Sequence, residues 1–514
     1  MNTIRRHMDG PLWALLAAVI AGLAARLAVL LTSLGRFDSD EAVTGIMAQR
    51  ILHGDFPLYF GVQSYQGALE QYVQALVLAV SPDSPFFLRS VQLALTVIIT
   101  LLVFHLGTTV TKSRWGGALA AGLYAVGPYF SIWKGVKSHG GYGGATLFGL
   151  LAIILVLRLR DETGRRAGIT AGLAGLCTGL AIWENYTSAY LLIPALVWAI
   201  GSARGNLVRL AGAWVGGLII GALPIIAFRV VHGINPPSGS GTPQPLHLTD
   251  RADLLLNPVL ADFLGFRAGG PAITKWFPPA IMTIIALMGL GAAVWTRRGG
   301  IGRLVTLRRD GREPIDLVLL AFIITPFIYS ASAFTWYSGE PRYLVTLYPL
   351  LAVALAAGAF AFRGRARIAA AIIMLAVSAL VLGRTMQQIV QPGPIMNALT
   401  GDPVPTEQAR QVARALEDMG IQSVYADYWV GYPIQYAAGD ALAVEPISSS
   451  HFPSIGAQVA ADDNAAIVAV TGANADFFRN ALIKADRRFT ETPVGSYTIF
   501  SSITPGFDPR ALAD

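Results

Sequence analysis

The segment GRFDSDEAVTGIM, residues 35–47, follows directly after the first long apolar run of the chain, residues 12–34. It brings Asp38, Asp40 and Glu41 together within four positions. Charged side chains close to lipid are costly and usually serve a function. The segment therefore predicts a helical membrane protein with a polar site at the edge of its first span.

The composition agrees with a polytopic membrane protein. Of the 514 residues, 54% are hydrophobic and only 13% are charged, whereas soluble domains carry about a quarter charged residues. Cys177 is the only cysteine, which excludes an intrachain disulfide and a thiolate metal cluster. Much of the net charge of +7 lies in short loops between apolar runs, a distribution typical of membrane topology rather than of nucleic-acid binding.

Apolar runs of sufficient length predict about eleven transmembrane helices. They lie near residues 12–34, 86–110, 115–132, 142–158, 167–183, 186–201, 209–231, 276–296, 315–335, 343–362 and 368–390. With all eleven in place, every strongly basic loop falls on one side, which predicts a cytoplasmic N-terminus in the plasma or inner membrane. The first run has no signal-peptide cleavage site, so we expect it to remain as an anchor.

The C-terminal part differs in character from the transmembrane domain, which we place at residues 1–391. Residues 392–514 alternate between predicted helices and short buried strands such as AAIVAV, residues 465–470. This alternation predicts a small extracytoplasmic α/β domain. Because it contains no Gly-rich phosphate-binding motif, we expect an accessory role in acceptor recognition or stability.

Helix capping accounts for part of the acidic cluster. Asp38 and Glu41 are three positions apart, as in a capping box, and a helix dipole favours acids at its N-terminus. Capping explains one or two acids more easily than three. Further along the first outer loop, residues 35–85, Glu70 opens a second amphipathic segment, so the two segments can converge on one cleft at the outer membrane face.

The order of these features resembles a known family. The residues DEA at 40–42, followed by AQRILHGDFPLYFGVQSYQGALEQY at 48–72, are similar to the first extracytoplasmic loop of the protein O-mannosyltransferase and aminoarabinose transferase superfamily. These are membrane glycosyltransferases of the GT-C fold that use polyprenyl-phosphate sugars. The resemblance implies a GT-C-like domain and an inverting transfer to an envelope acceptor, which could be a protein, a glycolipid or a wall polymer.

The resemblance also implies roles for three acids. Asp40 and Glu41 match the family's Asp-Glu motif, and Glu70 matches the later loop acid near the donor phosphate. An inverting transfer needs a carboxylate that deprotonates the acceptor hydroxyl, so we expect Asp40 to be the base and Glu41 to share catalysis with helix support. A divalent cation held by Asp40, Glu70 and the phosphate is compatible with these residue types, but the sequence does not require it.

The second outer loop, YFSIWKGVKSHGGYGG at residues 129–144, is basic. Lys134, Lys137 and His139 lie there among glycines that let backbone amides approach an anion. We expect one of the three to bind the donor phosphate; the alternative is ordinary snorkelling of the lysines toward lipid headgroups.

Arg342 and Tyr343 belong to the last outer loop before the tenth span. Because Arg342 lies against the positive-inside bias, it needs an anion, either Glu340 or the lipid phosphate, which arginine can bind bidentately. For Arg89 we expect headgroup anchoring. Glu184, at the outer end of the fifth span, is either a functional carboxylate or a boundary residue.

Two other function classes are alternatives to a glycosyltransferase. A secondary transporter would have interrupted spans in matching halves and charges near the membrane midplane, whereas the charges here lie mainly at span ends and in outer loops. A non-catalytic membrane scaffold, whose C-terminal domain binds an envelope partner, would make the loop acids dispensable.

Overall fold

A computed structural model describes most of the chain. The described residues are 9–30, 37–81, 84–138, 140–202, 207–232, 246–265, 291, 294–306, 308, 311–332, 341–390, 406–448 and 450–512. Its first part is a bundle of apolar helices, the architecture that satisfies every backbone hydrogen bond inside a bilayer.

Seventeen helices of this part are described. In chain order they are α1 (Gly10–Leu30), α2 (Ser39–Leu52), α3 (Leu69–Leu78), α4 (Pro85–Thr111), α5 (Arg114–Ala125), α6 (Tyr129–Lys134), α7 (Tyr142–Arg158), α8 (Gly164–Glu184), α9 (Ala189–Ser202), α10 (Leu207–Gly221), α11 (Leu223–His232), α12 (Leu248–Leu254), α13 (Leu260–Phe263), α14 (294–305), α15 (Pro314–Ala331), α16 (Tyr348–Phe360) and α17 (Gly364–Val390). Two short strands, β1 (Tyr59–Phe60) and β2 (Gln63–Gly67), pair in the first outer loop. A 3₁₀ segment, Arg342–Leu347, leads into α16.

Six described helical segments are long and apolar enough to cross a membrane, and the pair α10 and α11, bent by 61°, would make a seventh. The helices α7 and α9 are apolar but shorter. Together with the fold, these segments make the chain a multi-pass membrane protein.

The number of eleven spans stays a prediction. The predicted span at 115–132 is wrong in its bounds, since α5 ends at Ala125; Pro128 disfavours helix at the residue before it. Most of the predicted span at 276–296 lies outside the described residues.

Ion pairs and hydrogen bonds involve basic loops at one end of the bundle. Arg297 binds Asp316 at 2.8 Å, and Arg160 donates to the Arg312 carbonyl at 3.0 Å. Helix α2 and the loop before α7 meet at the opposite end, through an ion pair between Glu41 and Lys137. These contacts cover two of the predicted basic loops; the grouping of the other basic loops, and the side of the membrane on which each group lies, stay predictions.

The C-terminal residues form a five-stranded sheet with helices packed on it. The elements are α18 (Thr406–Asp418), β3 (Ser423–Ala426), α19 (Tyr428–Ala438), β4 (Ala443–Pro446), α20 (Pro453–Ala460), β5 (Ala466–Val470), α21 (Ala473–Lys484), β6 (Arg488–Val494) and β7 (Tyr497–Thr504). The strand order is β4-β3-β5-β7-β6, with β4, β3 and β5 parallel and β7 antiparallel to both of its neighbours.

This sheet domain shares a hydrophobic core with the first outer loop. Buried side chains of α2, such as Ile46 and Met47, belong to the same cluster as Tyr432 and Tyr436 of α19. At Gly45 the two helices approach so closely that a Cβ atom would lie 2.4 Å from the Tyr436 ring. The sheet domain is therefore packed against the loop that carries the acidic cluster.

Candidate active site

Asp38 caps helix α2, as its spacing from Glu41 predicts. Its carboxylate accepts the Glu41 backbone N–H at 3.2 Å, and its other oxygen binds Lys137 Nζ at 2.6 Å. Burial raises the pKa of Asp38, although the charge of Lys137 acts in the opposite direction. The first acid of the cluster therefore serves the local structure.

Glu41 is completely buried and surrounded by donors. Its oxygens bind Arg89 at 2.8 and 2.5 Å and Lys137 at 2.9 Å, and they accept the Ser138 N–H at 3.1 Å. Burial alone would raise the pKa of Glu41, but the charges of Lys137 and Arg89 outweigh it and lower that pKa to about 2. With both oxygens engaged, Glu41 fits a supporting role and not the share in catalysis that its motif position implies.

Two expectations for basic residues need correction. Arg89 does not extend to lipid headgroups; it points inward and is buried against Glu41. Lys137 is buried between Asp38 and Glu41, so it neutralises these acids where we expected a phosphate ligand. Both were misjudged because their partners lie 48 to 99 positions away in the chain.

Asp40, in contrast, is only partly buried. Its Oδ1 accepts a hydrogen bond of 2.7 Å from the hydroxyl of Tyr428, at the start of α19 in the sheet domain. Sequence reasoning missed Tyr428, because nothing local connects residues that are 388 positions apart.

Tyr65 of β2 connects Asp40 with the last outer loop. Burial, together with the nearby groups Tyr343 and Asp40, raises the pKa of Tyr65 to about 12, although the charge of Arg342 acts in the opposite direction. Arg342 and Tyr343 open the 3₁₀ segment and are half-buried. The structure therefore brings the predicted base close to two of the predicted substrate-binding residues. The alternative partner of Arg342, Glu340, lies outside the described residues.

Glu70 binds the N-terminus of α7. Its carboxylate accepts Gln92 Nε2 at 2.6 Å and the Gly144 N–H at 2.7 Å, and burial raises the pKa of Glu70. Glu184 lies against the same helix end: its carboxyl carbon is 2.8 Å from where a Cβ on Gly144 would be. Glu184 is thus turned into the protein instead of marking a lipid boundary.

The metal hypothesis for Asp40 and Glu70 gains no support from these contacts. Within the described ranges, no three His, Cys, Asp or Glu side chains are grouped as metal ligands would be. Glu70 is engaged by Gln92 and Gly144, so a shared cation stays a prediction without a preformed set of ligands.

A small cavity lies beside the Glu70 network. Its lining includes Lys134 and Ser131, Gln92, Gly143, and Val345 from the 3₁₀ segment. The Lys134 ammonium lies 4.3 Å from the centre of the Trp133 ring, an attractive cation–π geometry. Lys134 therefore lines this small cavity. His139 lies outside the described residues.

Arg26 is a second cation beside this cavity, and sequence reasoning missed it. It is fully buried in α1, donates to the Gly22 carbonyl at 3.1 Å and lies over the Tyr124 ring at 5.6 Å. Its Nε and Nη2 find no hydrogen-bond partner in the described part of the chain. The sequence does contain a signal for Arg26, because an arginine inside an apolar span is rare and usually functional.

Comparisons with known proteins agree with this architecture. Residues 66–230 match the family model of dolichyl-phosphate-mannose-protein mannosyltransferase. The crystal structure of ArnT from Cupriavidus metallidurans bound to undecaprenyl phosphate matches with a TM-score of 0.59 and 12% identity, over 98% of this chain and 100% of that one. The chain has a GT-C fold. The structural match confirms the GT-C fold that the first outer loop predicts, while the family-model match begins only at residue 66.

A second GT-C structure is more distant. The oligosaccharyltransferase AglB from Archaeoglobus fulgidus, in complex with an inhibitory peptide and a dolichol-phosphate, matches with a TM-score of 0.50 and 12% identity, over 96% of this chain and 74% of that one. No curated protein matches the chain by sequence. The family-model match includes Glu70 and Lys134 but begins after Asp40. The family model therefore says nothing about Asp40, and only the contacts of Asp40 bear on its role.

Proposed function

We propose that this chain is an inverting glycosyltransferase that moves a sugar from a polyprenyl-phosphate donor to an envelope acceptor at the extracytoplasmic membrane face. The observation that carries the proposal is the contrast between the two acids of the motif. Glu41 is locked in a buried ion-pair network, whereas Asp40 stays partly exposed next to Tyr65 and the Arg342 segment.

In the proposed reaction, Asp40 takes the proton of the acceptor hydroxyl. The acceptor oxygen bonds to the anomeric carbon from the face opposite the phosphate, and the bond from that carbon to the phosphate oxygen breaks with its electron pair staying on the phosphate. The phosphate is an adequate leaving group without a general acid, so the protein has to supply positive charge where the negative charge develops.

The donor phosphate is assigned to the cations of the bundle interior. Lys134 and Arg26 flank the small cavity, and Arg342 lies in the segment that contributes Val345 to its lining. A GT-C protein of known structure binds undecaprenyl phosphate, which supports a polyprenyl carrier. The domain division at 391/392 belongs to this proposal, with transfer carried out by the helical part.

The transporter alternative predicted interrupted spans, and the bent pair α10 and α11 is such a span. Its break, however, is Ala222, between Gly221 and Leu223, which offers no charged or polar side chain to bind a solute. The glycosyltransferase proposal is therefore the better supported of the two.

Donor consumption tests the proposal. Purified full-length protein is incubated with a panel of polyprenyl-phosphate sugars and crude envelope extract, and release of the carrier lipid is followed by mass spectrometry. We expect wild type to consume one donor and Asp40→Asn to be slower by at least about 100-fold, a typical loss for a general base.

Asp55→Asn is the matched control, because it makes the same chemical change in the same loop, at an exposed ion pair with Arg50. It should keep wild-type activity. Equal turnover by Asp40→Asn and wild type would remove Asp40 as the base. A wild type that consumes no donor would favour the scaffold or transporter classes.

A further inference from the structure

The sheet domain contributes Tyr428 to the candidate site, and the sequence did not predict this contribution. The Tyr428 hydroxyl donates to Asp40 Oδ1 at 2.7 Å, and the Tyr428 carbonyl accepts the Ser39 hydroxyl at 2.7 Å. Two consecutive residues of the acidic segment are thus bound by one residue of α19. From this geometry we infer that Tyr428 is a positioning residue for Asp40, so that the C-terminal domain completes the catalytic site; the inference rests on the proposed role of Asp40.

The Tyr428 ring is held in place from several sides. It packs against His451 with ring centres 5.6 Å apart and against Tyr432 at 5.3 Å. The preceding residue, Asp427, caps α19 by accepting the Trp429 N–H at 2.9 Å. A side chain fixed in this way can hold its hydrogen-bond partner in one rotamer, which is how surrounding residues preorganise a reacting group.

The hydrogen bond has a chemical consequence for a general base. It engages Oδ1 of Asp40 and leaves Oδ2 to accept the acceptor proton. Burial and the charge of Asp40 raise the pKa of Tyr428 well above its ordinary value, so the phenol remains a donor at any physiological pH. A hydrogen bond to the charged form of a carboxylate favours that form, so the effect of this bond is measurable in a pH–rate profile.

The environment of Asp40 contains further ionisable groups that bear on a pH test. Those facing it or its immediate partners are Asp38 and Glu41 on its own segment, Lys137 before α7, Tyr65 on β2, Arg342 and Tyr343 on the 3₁₀ segment, and Tyr428, Tyr432 and His451 on the sheet domain. A variant that removes only the Tyr428 hydroxyl leaves all the other groups in place.

Tyr428→Phe is that variant, and it keeps the ring packing. In the full-length protein, with the donor that wild type consumes, we expect kcat to fall on the order of tenfold, as for the loss of a hydrogen bond to a charged group. KM for the donor should stay unchanged, and the acidic limb of the pH–rate profile should move to higher pH. Ser39→Ala, which removes the hydrogen bond to the Tyr428 carbonyl, should also lower kcat, but by less than Tyr428→Phe does.

Tyr436→Phe is the control, since it removes a hydroxyl from the same helix, where the ring packs on Gly45. It should retain wild-type kcat and pH profile. If Asp40→Asn is inactive but Tyr428→Phe matches wild type in kcat and pH profile, the positioning role is overturned and the proposed function survives. If Asp40→Asn is fully active, Asp40 is not the base and the positioning role fails, while donor consumption by wild type still supports a glycosyltransferase. If wild type consumes no donor, the proposed function itself fails.

Discussion

Asp40 and Glu41 are neighbours in the chain but lie in opposite environments. Successive helical residues point about 100° apart, so one acid of the pair faces the buried end of α4 while the other faces the junction with α19. Glu41 accepts from Arg89, Lys137 and Ser138. At the scale of single residues, the motif therefore separates into a residue that holds the site together and a residue that is available for chemistry.

Glu41→Gln should strongly destabilise the protein. The substitution leaves the charges of Arg89 and Lys137 buried without their shared anion, and breaking a buried pair costs about 3–5 kcal/mol. Thermal unfolding in detergent measures the loss. Asp55→Asn, at an exposed pair, should cost less than about 1 kcal/mol; equal effects of the two variants would contradict the buried network.

The same network predicts an acid dependence of stability. Because the folded-state pKa of Glu41 is lowered to about 2, its contribution is fully present above the pKa of the unfolded chain, near 4.5, and is lost as pH falls toward 2. Wild type should therefore lose more stability than Glu41→Gln between about pH 4.5 and pH 2. Parallel curves of unfolding temperature against pH for the two proteins would be the contrary result.

Arg89 and Arg26 lie in different spans, and the position of each helix determines which groups each arginine contacts. Arg89, in the first turns of α4, faces α2 and finds the Glu41 carboxylate. Arg26, in the last turns of α1, faces the interior of the bundle next to Gly135 and the cavity. The residue type is the same, but Arg89 is ion-paired within the protein, whereas two nitrogens of Arg26 have no hydrogen-bond partner in the described residues.

Arg26→Met and Arg89→Met should therefore have opposite consequences. Removal of Arg89 leaves Glu41 with one partner fewer and should lower the unfolding temperature. Removal of Arg26 removes a costly buried charge, so the unfolding temperature should hold or rise, while KM for the donor increases. Unfolding temperature and donor kinetics are measured for both variants, and a large destabilisation by Arg26→Met would show that Arg26 has only a structural role.

The contact of α2 with α19 depends on the absence of a side chain at Gly45. Gly45→Ala should loosen the sheet domain, because its Cβ would lie 2.4 Å from the Tyr436 ring. Hydrogen–deuterium exchange should then increase in α2 and α19. Gly168→Ala is the control, since a Cβ there meets nothing within 4 Å and should leave exchange in both helices unchanged.

At the scale of the whole molecule, the site lies where three separate parts of the chain meet. The acidic loop, the end of the bundle with Arg342, and the sheet domain all contribute groups around Asp40. The basic loops gather at the other end. We therefore expect the proposed chemistry on one membrane face and the basic loops on the other.

Cysteine labelling tests that sidedness. In a Cys177→Ala background, Lys484→Cys on the sheet domain should react with a membrane-impermeant maleimide in intact cells or spheroplasts. Gly302→Cys, in α14 at the basic end, should react only after permeabilisation. Both positions are exposed, so reaction of Gly302→Cys alone in intact cells would reverse the proposed topology.

The sequence by itself determined the class of membrane protein, the acidic loop and its family resemblance, because these depend on local composition and spacing. It also predicted that Asp38 caps the helix that follows it, which is α2. Only the tertiary structure decided that Glu41 is held by Arg89 and Lys137, that Arg26 is buried beside Gly135, and that Tyr428 binds Asp40. Those contacts join residues up to 388 positions apart, and they are set by how helices and sheet pack, which no local pattern encodes.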